Sequence, residues 1–190
     1  MNTVEPIRDE KKIKTMKAVL KDDSTRNYLL FTLGINTGLR ISDLLKLKIY
    51  DAVNNDGTIK DCIHIREKKT GKENQFVLNK TVKEAIQEYV DSFKTLDMSM
   101  YLFKSKKGKN SPISRVQAYE ILNTAAKLIG IPDKIGCHTL RKTFGYHARM
   151  RGTPIEKLQK IFNHSAPSIT MRYIGITQDE LDNIFHTLNL

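Results

Sequence analysis

Over most of the chain, apolar residues recur three and four positions apart; they alternate in only one stretch. The pattern therefore predicts mostly helices and a single β-hairpin. Ile13, Met16, Val19 and Leu20 mark a first amphipathic helix over residues 6–21, ending before the capping run Asp22-Asp23-Ser24-Thr25. A second helix starts near Thr25, contains the apolar run from Tyr28 to Leu33, and ends near Gly38. Glycine suits the left-handed position just past a helix. Ser42 is placed to cap a short third helix, residues 43–46, with Asp43 in its first turn.

From Lys60 to Leu78 the period changes to two: Cys62, Ile63 and Ile65, a Lys-Lys-Thr-Gly-Lys turn, then Phe76, Val77 and Leu78. This reads as a hairpin with Gly71 in the bend. A long helix over residues 81–93 puts Val82, Ile86, Tyr89, Val90 and Phe93 on one face. A basic loop follows, with Lys104, Lys106, Lys107 and Lys109 beside Gly108, leading through Pro112 and Ser114 into a helix that ends near Gly130. The last third is helical over 139–151, 154–162, 168–174 and 178–188, with Pro154 at a first turn and Gly152 past a last one. No repeat or linker divides the 190 residues, a length that suits one domain.

Charge narrows the classes. Lys plus Arg number 32 against 21 Asp plus Glu, a formal net charge of +11, which points to nucleic acid, although solubility alone would account for it too. No apolar run approaches the ~18 to 20 residues that span a bilayer, and residues 1–9 lack the apolar core of a signal peptide. A cytoplasmic protein is expected. Cys62 and Cys137 have no metal or redox spacing and read as buried small residues in a reducing compartment.

The chemistry sits in an ordered set. His138 and Arg141 are three apart, His164 follows 23 residues after Arg141, and Tyr173 nine after that; Arg40 stands far upstream. Guanidinium and imidazole groups hold anionic oxygens, and a phenol can become a nucleophile. Singly, each has an ordinary alternative: a polar helix start, a turn histidine, a half-buried aromatic, an arginine at a helix's negative end.

Taken together, Thr-Gly-Leu-Arg-Ile-Ser-Asp-Leu-Leu at 37–45, His-Thr-Leu-Arg-Lys-Thr-Phe at 138–144 and Asn-His-Ser-Ala-Pro-Ser-Ile-Thr-Met-Arg-Tyr at 163–173 resemble the tyrosine recombinase (phage integrase) family. The resemblance covers nearly the whole chain. It implies a mainly α fold with a small antiparallel β-sheet (α+β), acting on duplex DNA. It also implies Arg40 and Arg141 as the grips on the scissile phosphate, and Tyr173 as the nucleophile that forms a 3′-phosphotyrosyl link and frees a 5′-hydroxyl. His138 would assist proton transfer, His164 would donate a hydrogen bond to the phosphate, and Asp43 would be a supporting carboxylate. A hairpin lysine supplies the proton for the leaving oxygen in the family. The pattern favours Lys69, immediately before Thr-Gly, with Lys68 and Lys72 as DNA-backbone contacts alongside Lys104, Lys106, Lys107 and Lys109. No metal or other cofactor is implied, because arginines supply the charge stabilisation that Mg²⁺ gives elsewhere.

Two departures carry expectations. Only 39 residues precede Arg40, so the family's N-terminal core-binding domain is expected to be absent and residues 1–190 to form a single catalytic domain that binds DNA weakly and with strong salt dependence. Asn163 stands where the family usually has glycine. After Tyr173, Leu181, Ile184, Phe185 and Leu188 give the tail at 178–190 an apolar face, for exchange with a neighbouring subunit or for docking on its own domain. The resemblance further implies self-association on DNA, up to a tetramer, and cooperation with a longer recombinase or an accessory protein. A type IB topoisomerase and a DNA-binding regulator without catalysis are the competing readings.

Overall fold

The computed structural model describes residues 4–66, 71 and 73–176. Lys68, Lys69, Lys72 and the tail at 178–190 lie outside the described residues. Helix α1 (Glu10–Asp23) is followed by α2 (Thr25–Thr37) and two short helices, α3 (Ile41–Leu44) and α4 (Ile49–Ala52). Strands β1 (Cys62–Arg66) and β2 (Glu73–Val77) form the hairpin, and α5 (Lys80–Asp91), α6 (Arg115–Leu128), α7 (Cys137–Met150), α8 (Ile155–Phe162) and α9 (Pro167–Ile174) complete the order.

α2 is the axis of the fold, for a visible reason in its sequence: Leu29, Leu30, Phe31 and Leu33 are consecutive or nearly so, and all are fully buried. A helix apolar all round must be surrounded, and α1, α5 and α7 pack on it. Where α2 meets α7, Gly34 allows close approach, since a methyl group there would stand 2.6 Å from Leu140 Cδ1. The hairpin is antiparallel, pairing Ile63 with Phe76 and Cys62 with Val77. Ile63 and Phe76 are buried and Val77 is exposed, so one face of the pair is tied to the core.

A smaller cluster lies beside the main core. Leu158, Phe162 and Ile174, with Phe144 and Tyr173 against them, join α8 and α9 to α7. Gly145 makes that junction possible: a Cβ there would lie 2.5 Å from Ile174 and 2.7 Å from the Phe162 ring. Gly145→Ala is therefore expected to destabilise the protein by about 1–3 kcal/mol through overpacking. Thermal unfolding of the variant measures this, and an unchanged midpoint would show that α8 and α9 do not bear on α7 as described.

Several sequence expectations change. Helix α1 begins at Glu10 rather than residue 6, because Asp9 caps it, accepting from Lys11 N at 2.7 Å. Residues 4–8 instead form a strap without helix or strand, in which Ile7 N donates to Thr143 Oγ1 at 2.9 Å. Ser42 is not a cap: the chain leaves Gly38 and passes through extended Arg40, which holds the N-cap position of α3. Pro154 likewise precedes its helix, with ψ 140. Cys62 is only partly buried, its Sγ 3.2 Å from His64 Nε2, whereas Cys137 is buried as expected.

Candidate active site

Three chain reversals bring the site together. At the first, Gly38 adopts φ 65, closing α2 in the left-handed conformation and turning Arg40 back across the end of that helix. The second is the start of α7, where Thr139 Oγ1 accepts from Gly136 N at 3.1 Å, fixing the turn just ahead of His138. His138 and Arg141 then lie one turn apart on the same side of α7. The third joins α8 to α9 through Asn163, at φ 52 the only described non-glycine residue with positive φ. Asn accepts that conformation more readily than most residues, so its replacement of the usual glycine leaves the turn intact.

Arg141 is almost wholly buried. Its guanidinium donates to Gly38 O at 2.6 Å and Phe162 O at 2.9 Å, and lies over the Phe162 ring at 4.5 Å. Arg40 reaches the same carbonyl, with Nη2 3.3 Å from Phe162 O. Phe162 is the last residue of α8, so its oxygen stands at the negative end of a helix dipole and attracts both cations. Two forks that the sequence separates by a hundred residues thus converge on one oxygen atom.

His164 is fixed by the α8–α9 turn. Its backbone N donates to Gln159 O at 3.0 Å, and its Nδ1 pairs with the Oγ1 of fully buried Thr170 at 3.0 Å. The imidazole meets the Tyr173 ring nearly edge-on, with centroids 5.1 Å apart. Tyr173, on the last turn of α9, places its hydroxyl 3.4 Å from His138 Nδ1. Burial holds the Tyr173 phenol above its ordinary pKa, an effect that Arg141 and Arg40 oppose. Burial also holds His138 below the usual imidazole value, reinforced by Arg115, Lys142, Arg141 and Arg40. At neutral pH a protonated phenol therefore faces an uncharged imidazole. That pair is placed to exchange a proton.

Arg40, His138, Arg141, His164 and Tyr173 are thus brought together. Asp43 is buried beneath them, its N–H bonded to Arg40 O at 2.9 Å. The hairpin lies at the same end of α2, where Asn74–Val77 of β2 share a groove with Asn36, Thr37 and Phe144. Its closing bond runs from Arg66 Nε to Gly71 O at 3.0 Å. The lysine loop is elsewhere: Arg26, at the start of α2, donates to Lys104 O at 2.7 Å. The twelve residues from Arg26 to Gly38 span about 18 Å of helix, so Lys104, Lys106, Lys107 and Lys109 stand well away from Arg40 and Arg141.

Side-chain patterning missed two participants. The Phe162 carbonyl is a backbone group with no sequence signal. Lys142 had one, lying four residues after His138 and so on the same helical face. It lines, with His138, Tyr173, Arg115 and Arg172, a cavity of about 680 Å³ beside the phenol.

Two convergent guanidinium groups thus stand beside a desolvated phenol that faces an imidazole. The chain belongs to the phage integrase family, the tyrosine recombinases, whose family model matches residues 8–180. It is 47% identical over 179 residues to the probable integrase/recombinase YoeC of Bacillus subtilis, covering 94% of this chain and 93% of that protein. It is 30% identical over 182 residues to tyrosine recombinase XerA of Pyrococcus furiosus, covering 95% of this chain but 61% of the relative. A crystal structure of XerA recombinase superposes with a TM-score of 0.76 at 24% identity, over 99% of this chain and 68% of that one. A XerH recombinase bound to a palindromic difH substrate in a post-cleavage complex superposes at 0.73 and 18% identity, over 98% of this chain and 54% of that one. These likenesses bear out the mainly helical fold with its small two-stranded sheet. Among the described residues, no helix is long and apolar enough to cross a membrane.

Proposed function

We propose that this chain cuts and rejoins duplex DNA at specific sites, with Tyr173 as nucleophile, Arg40 and Arg141 as phosphate grips, His164 as a further phosphate donor and His138 as proton acceptor. The observation that carries the reading is the meeting of both arginines on Phe162 O, with the Tyr173 hydroxyl on the neighbouring helix turned to His138. A phosphate placed against those forks would exchange one oxygen acceptor for several, in the bidentate geometry that guanidinium favours. Attack forms the Tyr173 Oη–phosphorus bond and breaks the bond to the 5′ oxygen; the phenol proton passes to His138, and Lys69 protonates the leaving oxygen. The phosphotyrosyl link conserves the bond for rejoining. Asp43 supports the arginine turn.

A nicked suicide duplex carrying the end of the genetic element that encodes the chain tests this reading. The expected product is a protein–DNA adduct joined through the 3′ phosphate of the cut strand, formed equally well in EDTA. A duplex that binds and never yields the adduct would favour the DNA-binding regulator, and relaxation of supercoils without strand exchange would favour the topoisomerase.

Residues 1–190 serve as the catalytic domain in this reading, and the cytoplasm is its place of action. Binding by this domain rests on phosphate contacts and on self-association on DNA, up to a tetramer, through exchange of the tail at 178–190, or on a longer recombinase or accessory protein. Lys68 and Lys72 contribute backbone contacts near the cut. The lysine loop contributes them at a distance: replacing Lys106, Lys107 and Lys109 together with alanine is expected to lower the slope of log affinity against log salt by up to about three. Cleavage of bound DNA should keep its rate. Titrations at several salt concentrations decide it, and an unchanged slope removes the loop from the interface.

A further inference from the structure

Lys142 has no part in the proposed roles, although it touches the ring of Tyr173. It is 8% exposed, yet it carries an ammonium group. Among the described residues no hydrogen bond or salt bridge reaches that ammonium. A buried lysine without a partner is costly unless something compensates it. Its Nζ sits over the Tyr173 ring, 5.4 Å from the centroid, and its side chain lines the cavity that also receives His138 and Tyr173.

We propose that Lys142 acts through Tyr173 as a positioning residue for strand cleavage, its ammonium holding the ring face and stabilising the negative charge the phenol acquires as it attacks. The inference rests on Tyr173 being the nucleophile. A neutral phenol attracts a cation over its face only through its quadrupole. As the proton moves to His138 Nδ1 and the Oη–phosphorus bond begins to form, charge spreads from Oη into the ring, and the same cation then interacts with a net charge in a desolvated place. The contact is thus stronger in the transition state than in the ground state, which is the condition for raising the rate rather than only the affinity.

The surrounding charges agree with a cation kept in reserve. On the strap, Glu5 favours the charged lysine and Arg8 opposes it, while burial opposes it most. α6 turns Arg115 toward the same cavity, α9 brings Arg172 and Tyr173, and α7 itself contributes His138. Arg40 and Arg141 complete the set acting on His138. In that set Lys142 is one of the like charges that keep the imidazole unprotonated and able to accept the phenol's proton. Its removal therefore has a second, separable effect, a rise in the pH at which His138 becomes protonated.

Lys142→Met keeps the length and apolar stem and removes the charge, whereas Lys142→Arg keeps the charge. Single-turnover adduct formation on the nicked suicide duplex, followed from pH 5 to 9, separates the two. The methionine variant should lose about tenfold at the plateau, and its acid limb should move to higher pH; the arginine variant should restore both. Thermal unfolding and duplex retention on a gel check that the methionine variant is folded, with Lys142→Gln as a second neutral replacement. A folded neutral variant with wild-type plateau and acid limb would overturn the inference while the nucleophile reading stands. So would an arginine variant as slow as the methionine one, since shape and not charge would then matter. If the wild-type protein itself forms no adduct, the underlying reading fails and takes this one with it.

Discussion

Replacing Tyr173 with phenylalanine is expected to abolish the covalent protein–DNA adduct completely while leaving DNA binding within about twofold, as for a surface-neutral change. The structure explains why the two should separate. The hydroxyl makes one described contact, 3.4 Å to His138 Nδ1, so its loss strands no tightly bonded group. The ring makes the packing contacts: centroids 5.1 Å from His164 and 5.6 Å from Phe162, with the Lys142 ammonium on its face. Phenylalanine preserves all of these, so α9 keeps its seat. Adduct assay and gel retention on the same nicked duplex give the two readings. An adduct that persists in the variant would transfer the nucleophile to another residue and undo the assignment of this site.

The second large effect concerns Arg141. Its replacement by lysine keeps a positive charge but not the fork, and lysine cannot donate to Gly38 O and Phe162 O in one plane as the guanidinium does at 2.6 and 2.9 Å. Cleavage should fall by about 10²- to 10³-fold, the size usually found when one preorganised donor is taken from a developing anion. The protein should also become less stable by about 1–3 kcal/mol, because a buried carbonyl at the end of α2 loses its donor. Single-turnover cleavage and denaturant unfolding measure these together. A variant with rates within threefold of wild type would show that charge alone is required at this position.

The neighbourhood of the candidate residues was partly legible in the chain because Arg40, His138 and His164 sit where local chemistry forces a turn. Gly38, Gly136 and Asn163 mark the three reversals, and the sequence spacing from each to Arg40, His138 and His164 is short, so order along the chain translated into neighbourhood in space. The hairpin was legible from its period of two. What was not legible depends on contacts between distant segments. Local propensity starts α1 too early because Ile7 is bound to α7, with His147 Nε2 2.9 Å from Ile7 O, a tertiary contact that no local propensity reports. The short helix α4 was missed because four residues give no period. The sequence does not tell how far the lysine loop stands from Arg40; the length of α2 does. No pattern in the chain reports that Arg141 is almost fully buried with its guanidinium on Gly38 O and Phe162 O; that follows from the way α8 ends against α7.

That helix end has a further meaning for binding. Because Phe162 O already gathers Arg40 and Arg141, both long side chains are ordered before any substrate arrives. Fixing a flexible side chain at an interface typically costs about 0.5–1.5 kcal/mol, and here that loss of rotamer freedom is borne by folding, where the aromatic cluster of Phe144, Phe162 and Tyr173 offsets it. In the proposed reading the carbonyl serves as a placeholder for the anion, so an incoming phosphate would find a receptor already shaped to it rather than one it must assemble.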